Sequence, residues 1–204
     1  MIRLVAFLGN PGPEYAGNRH NAGRMLIGAL PFSSSLSWQK KFHAFYTAVD
    51  SRQIISALAD GITSELPAKY HFLMPETFIN CSGEPVFQAA SFFKINANEI
   101  LVAHDELEIP LGCLSLKFSG GLGGHNGLRS MKACFGSADF WRLRIGIGRP
   151  NHNDISGWVL SDFMPDETDR VQTVLDSGAA LLMQSLSRNP ETLLPEWAKK
   201  KIIV

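Results

Sequence analysis

One histidine, His20, lies in the run Gly9-Asn10-Pro11-Gly12-Pro13-Glu14-Tyr15-Ala16-Gly17-Asn18-Arg19-His20-Asn21, among close amides and beside an arginine. An imidazole changes charge near neutral pH, so its neutral form can take a proton from water. For that it needs a fixed tautomer and orientation, which a carboxylate on its other ring nitrogen supplies. Asp105, in His104-Asp105-Glu106-Leu107, is the candidate carboxylate; His104 alternates away from it and is expected to be structural. Three asparagines, Asn10, Asn80 and Asn126, fall in predicted loops. An amide can hold a carbonyl or position a water without adding charge, although asparagine is equally a common turn former. The sequence carries no metal-ligand spacing and no nucleophilic Ser or Cys motif. The set reads as a water-using hydrolase for a polar, anionic substrate.

Two further stretches bear on anion recognition. Ser119-Gly120-Gly121-Leu122-Gly123-Gly124-His125-Asn126-Gly127 offers many backbone N–H groups ahead of a predicted helix, which suits a phosphate cradle, a mobile gate or a plain connection. It is neither a Walker motif nor a dinucleotide fingerprint. Arg142 and Arg144 alternate along a predicted strand and must share a face, placed equally well for a phosphate or for carboxylates inside the protein.

The elements that would position these groups alternate between strand and helix. Ile2 to Leu8 is short, apolar and β-branched, as in a strand buried on both faces, and Asn21 to Leu30 reads as helical. Phe42 to Val49 and Gln53 to Leu58 read as a hairpin joined by 50–52, with another short strand from His71 to Met74. Pro75 to Asn80 is a loop, and Ser82 is placed to cap a helix ending near Lys94. Glu99 to His104, Cys113 to Lys117 and Arg142 to Ile147 read as strands. Asn126 to Phe135 and Asp166 to Leu186 read as helices. The pattern predicts one α/β domain over 1–204, a mixed twisted β-sheet with helices on both faces. Open sheets of this kind take ligands at strand carboxyl ends, where Asn10, Asp105 and the loop 120–126 would meet.

Bulk properties narrow the class. The 204 residues are 45% hydrophobic and 19% charged, which fits an ordinary globular chain, and no apolar run is long enough to cross a bilayer. Residues 1–8 end at Gly9-Asn10-Pro11-Gly12 without a cleavage pattern, so a buried strand is expected there rather than a secretion signal. Three cysteines without C-x-x-C spacing suit a reducing cytoplasm. Net charge is zero but uneven: from 112 to 150 six basic residues face one acid, and from 151 to 198 eight acids face two arginines. A neutral chain can therefore still present one positive face to phosphates.

With Gly9-Asn10-Pro11-Gly12, Tyr15, Arg19-His20-Asn21, Pro75-Glu76-Thr77-Phe78-Ile79-Asn80-Cys81-Ser82-Gly83, His104 to Leu107, Gly120 to Gly127 and Arg142 to Pro150, the chain resembles bacterial peptidyl-tRNA hydrolase. The likeness runs from residue 2 to about 161. It implies a monomeric cytoplasmic esterase that frees tRNA from peptidyl-tRNA, with no metal, cofactor or membrane. It implies His20 as general base, Asp105 as its orienting carboxylate, and Asn10 as the third catalytic position. Tyr15, Phe78, Asn80 and Asn126 would meet substrate, with Asn126 also helping to place the water. Gly120, Gly121, Gly123 and Gly124 would form a gate loop. Lys117, Arg142 and Arg144 would contact tRNA phosphates.

The chain departs from the family pattern at Asn18 (usually Thr or Ser) and Ile79 (usually Met). It departs again at Ser115, Ser119 and Leu122, where a base, a glycine and a histidine are frequent, and it lacks the lysines common after Pro150. These changes leave the catalytic set whole and thin the phosphate clamp, so tRNA binding is expected to be weaker or more salt-sensitive than is typical. Two other readings of the residues stand beside the esterase: an RNA-binding protein without catalysis, and an enzyme for small nucleoside or phosphate esters, which would require a closed pocket.

Overall fold

The computed structural model describes residues 1–58 and 66–203. Their organising element is an eight-stranded sheet ordered β2-β3-β4-β1-β5-β7-β6-β8. The strands are β1 (Leu4–Phe7), β2 (Gln39–Lys41), β3 (Ala44–Asp50), β4 (Lys69–Pro75), β5 (Ile100–Glu106), β6 (Cys113–Phe118), β7 (Trp141–Gly146) and β8 (Lys200–Lys201). β1 runs parallel to β4 and β5, and β5 parallel to β7. The outer pairings, β2 with β3, β3 with β4, β6 with β7 and β6 with β8, are antiparallel. This is the mixed α/β sheet that the alternating pattern implied.

Helices cover both faces. Val5 and Phe7 of β1 point into a core closed by α1 (Ala22–Met25) and the long α6 (Thr168–Ser187); Leu4 and Ala6 point into a second core under α3 (Gly83–Phe93) and α4 (Asn126–Phe135). α2 (Ser51–Ser56), α5 (Ile155–Val159) and α7 (Leu194–Trp197) are shorter. α1 lies so close to the sheet that a Cβ on Gly23 would stand 2.4 Å from the Ala103 carbonyl oxygen and 2.7 Å from that of Leu8. Only glycine allows the turn carrying His20 to sit this near the ends of β1 and β5.

Three expectations need correction. Gln53–Leu58 is not a strand, because Asp50 accepts the Arg52 N–H at 2.9 Å while Gln53 accepts the Asp50 N–H at 3.2 Å. That reciprocal cap starts α2 instead. The hairpin is formed by β2 and β3, turning through Phe42 and His43 at φ 59° and 53°, without the Asn-Gly or Asp-Gly that such a turn ordinarily shows. The stretch 21–30 is helical but not continuous: α1 is a single turn, continued as 3₁₀ turns on either side.

The antiparallel course of β6 matters for the cleft. Phe118 at its carboxyl end pairs with Trp141 at the amino end of β7, level with Leu101 of β5. The glycine loop therefore starts at the far end of the sheet and climbs to Asp105 before α4 begins.

Candidate active site

The parallel strands β1, β4, β5 and β7 end on one side, and the segments beyond them interlock. Asn21 grips the backbone of Asn10 at both groups: its Oδ1 accepts the Asn10 N–H at 2.8 Å and its Nδ2 donates to the Asn10 carbonyl at 3.0 Å. Asn10 Oδ1 in turn accepts the Ile79 N–H at 2.9 Å. Two amides thus lock the turn carrying His20 to the β1 loop and that loop to the turn carrying Asn80. With its oxygen engaged, Asn10 has Nδ2 left for the cleft.

Asp105, 2% exposed near the end of β5, accepts from two imidazoles at a single oxygen. His20 Nδ1 lies 2.8 Å and His125 Nε2 3.0 Å from its Oδ1. The network fixes the tautomers. His125 Nδ1 accepts the Leu128 N–H at 3.3 Å, so its proton is on Nε2 and faces the carboxylate. His20 likewise gives Nδ1–H to Asp105, which leaves Nε2 with a free lone pair. Burial alone would push the Asp105 carboxyl up, yet His125 and His20 hold it well below the usual carboxylate range.

His104 keeps the structural role expected of it. Its Nδ1 donates to the Asp105 carbonyl at 2.6 Å, and its ring packs edge-on to His125 with centroids 4.9 Å apart. Burial, with His125 close by, pushes its basicity well below that of an ordinary histidine, so it stays neutral.

These groups open onto a cleft of about 460 Å³ lined by Asn10, Tyr15, His20, Phe78, Asn80, Asp105, Gly123, Gly124 and Asn126. Tyr15 packs edge-on against Phe78, whose ring is 58% exposed. Asn126, the first residue of α4, accepts from Arg129 at 3.1 Å. The lining missed in the sequence is His125, Glu106, Leu107, Ile79 and the face of α5 with Ile155, Ser156, Val159 and Leu160. His125 stood in plain view inside the glycine run, but nothing in linear spacing says that it shares Asp105 with His20. For α5 the available signal was Asp154, whose carboxylate caps it by accepting the Gly157 N–H at 2.8 Å.

The arginines lie elsewhere. Arg142, 2% exposed, donates to the carbonyls of Gly121 and Gly120 at 2.6 and 2.8 Å. Burial, and Arg144 beside it, lower its basicity, with Glu106 opposing. Arg144 pairs with Glu106 at 2.9 Å. Both side chains share a face, as their spacing required: Arg142 braces the loop at its carbonyls, and Arg144 is engaged by Glu106 inside the protein. Lys117 lies against Gly120, its Nζ 3.2 Å from where a Cβ would stand there. Gly120 and Gly121 belong to the climbing part of the loop and are not among the lining residues. Arg19, which looked poised for an anionic substrate, also faces away from the cleft and pairs with Glu167. At Ser119, φ is 56°, a conformation glycine adopts more freely; the residue is held by Oγ donating to Asp139 at 2.8 Å and N–H donating to the Phe140 carbonyl at 3.1 Å.

Among the described residues, His20, Asp105 and His125 form a set of metal-capable side chains with ligand atoms within 4.8 Å of one another. Of their ligand atoms, His20 Nδ1, His125 Nε2 and Asp105 Oδ1 are hydrogen-bonded to one another.

A family model described as peptidyl-tRNA hydrolase matches residues 4–203. The peptidyl-tRNA hydrolase of Treponema pallidum (strain Nichols) is 41% identical over 99% of this chain and 97% of its own. That of Rhodospirillum rubrum is 41% identical over 97% of this chain and 76% of its own. The crystal structure of the Acinetobacter baumannii peptidyl-tRNA hydrolase superposes with a TM-score of 0.74 at 31% identity, covering 96% of this chain and 91% of that one. Among the described residues no helix is long and apolar enough to cross a membrane.

Proposed function

The chain belongs to the peptidyl-tRNA hydrolase family, and on that premise we propose that His20 is the general base that turns water on the ester of peptidyl-tRNA. The observation that carries this reading is the 2.8 Å contact between His20 Nδ1 and a buried carboxylate, with Nε2 left free at the cleft.

The substrate ester joins the peptide carboxyl group to a ribose hydroxyl of the terminal adenosine. His20 Nε2 takes a proton from water as the oxygen attacks the ester carbonyl carbon, and Asp105 stabilises the imidazolium that forms. Negative charge gathers on the carbonyl oxygen. Asn10 Nδ2 and the side-chain amides of Asn80 and Asn126 are the neutral donors available to it. As the tetrahedral intermediate collapses, the ribose oxygen leaves with the proton returned from His20, giving tRNA with its hydroxyl restored and a peptide carboxylic acid that ionises by losing its proton to solvent. Proton transfer and charge stabilisation thus have protein groups assigned to them, and no metal or cofactor is given a step.

Tyr15 and Phe78 form an aromatic edge for the substrate's peptide end. Lys117, next to the root of the loop at Gly120, is the basic side chain we assign to a phosphate. Gly123 and Gly124 give the upper loop its freedom to admit substrate, with φ 58° and 78°. The unit is assigned as a cytoplasmic monomer spanning 1–204.

The test compares N-acetyl-aminoacyl-tRNA with free aminoacyl-tRNA, alongside His20→Ala. Release from the acetylated substrate alone, abolished in the variant while tRNA binding survives, is the expected result. Binding without turnover by the wild-type protein would reassign the scaffold to RNA recognition.

A further inference from the structure

α5 forms one side of the cleft with five residues, too few to hold a helix by themselves. Ile155 and Val159, four apart, and Leu160 face the substrate space. Something behind them must fix their position, and the contacts lead to Arg19.

The Arg19 side chain is 1% exposed. Its guanidinium carbon stands 3.8 Å from the Trp158 ring centroid and 4.8 Å from that of Phe163, placing the cation against two aromatic faces. Its two terminal nitrogens reach both oxygens of Glu167, at 2.6 and 3.3 Å. Trp158, in the middle of α5, is fixed at its other edge by donating Nε1–H to the Gly148 carbonyl at 2.9 Å. The backbones are joined as well: Arg19 N–H donates to Ser161 at 2.9 Å, and Asn18 bridges Asp162. Burial works against the Glu167 charge, but Arg19 and the Met164 N–H hold its carboxyl below its usual range.

We propose that Arg19 is a positioning residue for the reaction: through Trp158 and Glu167 it fixes the α5 wall relative to the turn carrying His20, and so sets the width of the cleft beside the base. This rests on the hydrolase reading given above. Guanidinium is required rather than ammonium, because the site uses a planar face on Trp158 and a two-pronged edge on Glu167 together. The side-chain tether governs α5, whereas the Arg19 N–H to Ser161 bond, which holds the His20 turn, needs no side chain. The tether should therefore act on substrate capture more than on the chemical step.

Glu167→Gln is the incisive variant, since an amide can still accept the Met164 N–H while the charge facing Arg19 is lost. With N-acetyl-aminoacyl-tRNA, KM should rise about tenfold while kcat stays within about threefold. Amide exchange across 155–160 should quicken about tenfold, a readout independent of turnover. Arg19→Lys should reproduce both effects. Combined with Leu160→Ala, Glu167→Gln should raise KM by less than the product of the single effects, because both act on one wall. A lowered melting temperature with KM and α5 exchange unchanged would overturn the proposal, as would strictly multiplicative effects in the cycle. Absence of hydrolysis in the wild-type protein would strike the functional reading instead, with the exchange measurement still deciding the tether.

Discussion

On one side of the cleft α5 is held by Arg19, a cation fully neutralised by Glu167 and stacked on Trp158. On the other side the loop 119–125 is held by Arg142, a cation as deeply buried whose hydrogen-bonding partners are two peptide carbonyls, those of Gly120 and Gly121. Further supports are Ser119 on Asp139 and Phe140, Leu122 packed on the α3–α4 core, and His125 on Asp105. Each arginine braces a wall of the cleft from inside the protein. The difference is in what each bond needs. A carboxylate paired with a stacked guanidinium makes a fixed wall, whereas the Gly120 and Gly121 carbonyls lie on an exposed stretch and can exchange Arg142 for water. On the gate reading proposed above, one wall stays and the other moves.

The two walls meet at one atom, Asp105 Oδ1, because His20 belongs to the turn tied to α5 and His125 to the end of the loop. Asp105→Asn should therefore give the largest effect. An amide oxygen could still accept from both imidazoles, but the negative charge that stabilises the His20 imidazolium would be lost, and kcat should fall by about 10³ to 10⁴. Amide exchange in α5 should stay as in the wild type, since Arg19 and Glu167 are untouched. Faster exchange in α5 would mean that the walls are not held separately. His125→Ala should loosen the loop and leave His20 its carboxylate, so its loss in kcat should be well below that of Asp105→Asn.

Stability should separate the two arginines next. Arg19→Met leaves Glu167 without its partner in a partly buried place and should cost about 3 kcal/mol. Arg142→Met removes a desolvated cation that faces no carboxylate at hydrogen-bonding distance, keeps much of the buried stem's volume, and frees two carbonyls that water can reach. It should cost less than about 1 kcal/mol. Denaturant unfolding of both variants is the check, and equal losses would remove the distinction between a fixed and a movable wall.

Acid should weaken the two sides in different windows. His104, under His125 on the loop side, is held neutral by burial, so below the ordinary histidine range the unfolded chain binds a proton that the folded chain does not. Stability then falls as pH drops through that range. On the α5 side Glu167 is held ionised, so its contribution is complete above the ordinary carboxylate range and is lost only as pH falls through it and below. Thermal unfolding against pH should show two declines, with the upper one reduced in His104→Leu and its remainder supplied by His71, whose basicity burial lowers to about 4. A single decline confined to the carboxylate range would contradict the placement of His104.

The parts of this arrangement that sequence made legible are those with local causes. β1 and the first half of β5 are short apolar runs because they are buried on both faces, and Asp105 lies near the end of β5 where the apolar run gives way to His104-Asp105-Glu106. His20 was legible from its amide neighbours, two of which, Asn10 and Asn21, fix the turn that carries it. The reciprocal cap of Asp50 and Gln53 went unread, because the apolar residues after it suggested a strand. What sequence could not show depends on pairing across the chain. The inward turn of Arg142 and Arg144 follows from β6 running antiparallel, which starts the glycine loop at the far end of the sheet. The partnership of Arg19 with Glu167 spans 148 residues, and no local spacing announces it.

The smallest expected effect concerns Lys117, a half-buried basic side chain at the root of the loop that is in no ion pair among the described residues. If it meets a tRNA phosphate, Lys117→Ala should weaken binding and reduce the slope of log affinity against log salt by about one, since one fewer counterion is released. Arg142→Met and Arg144→Met should leave that slope unchanged, because their guanidiniums already hold carbonyls and Glu106 inside the protein. A salt titration of tRNA binding across the three variants reads both statements at once. If instead the Arg144 variant loses the slope and the Lys117 variant keeps it, Arg144 must leave Glu106 when tRNA arrives, and the movable wall would rearrange further than its carbonyl contacts imply.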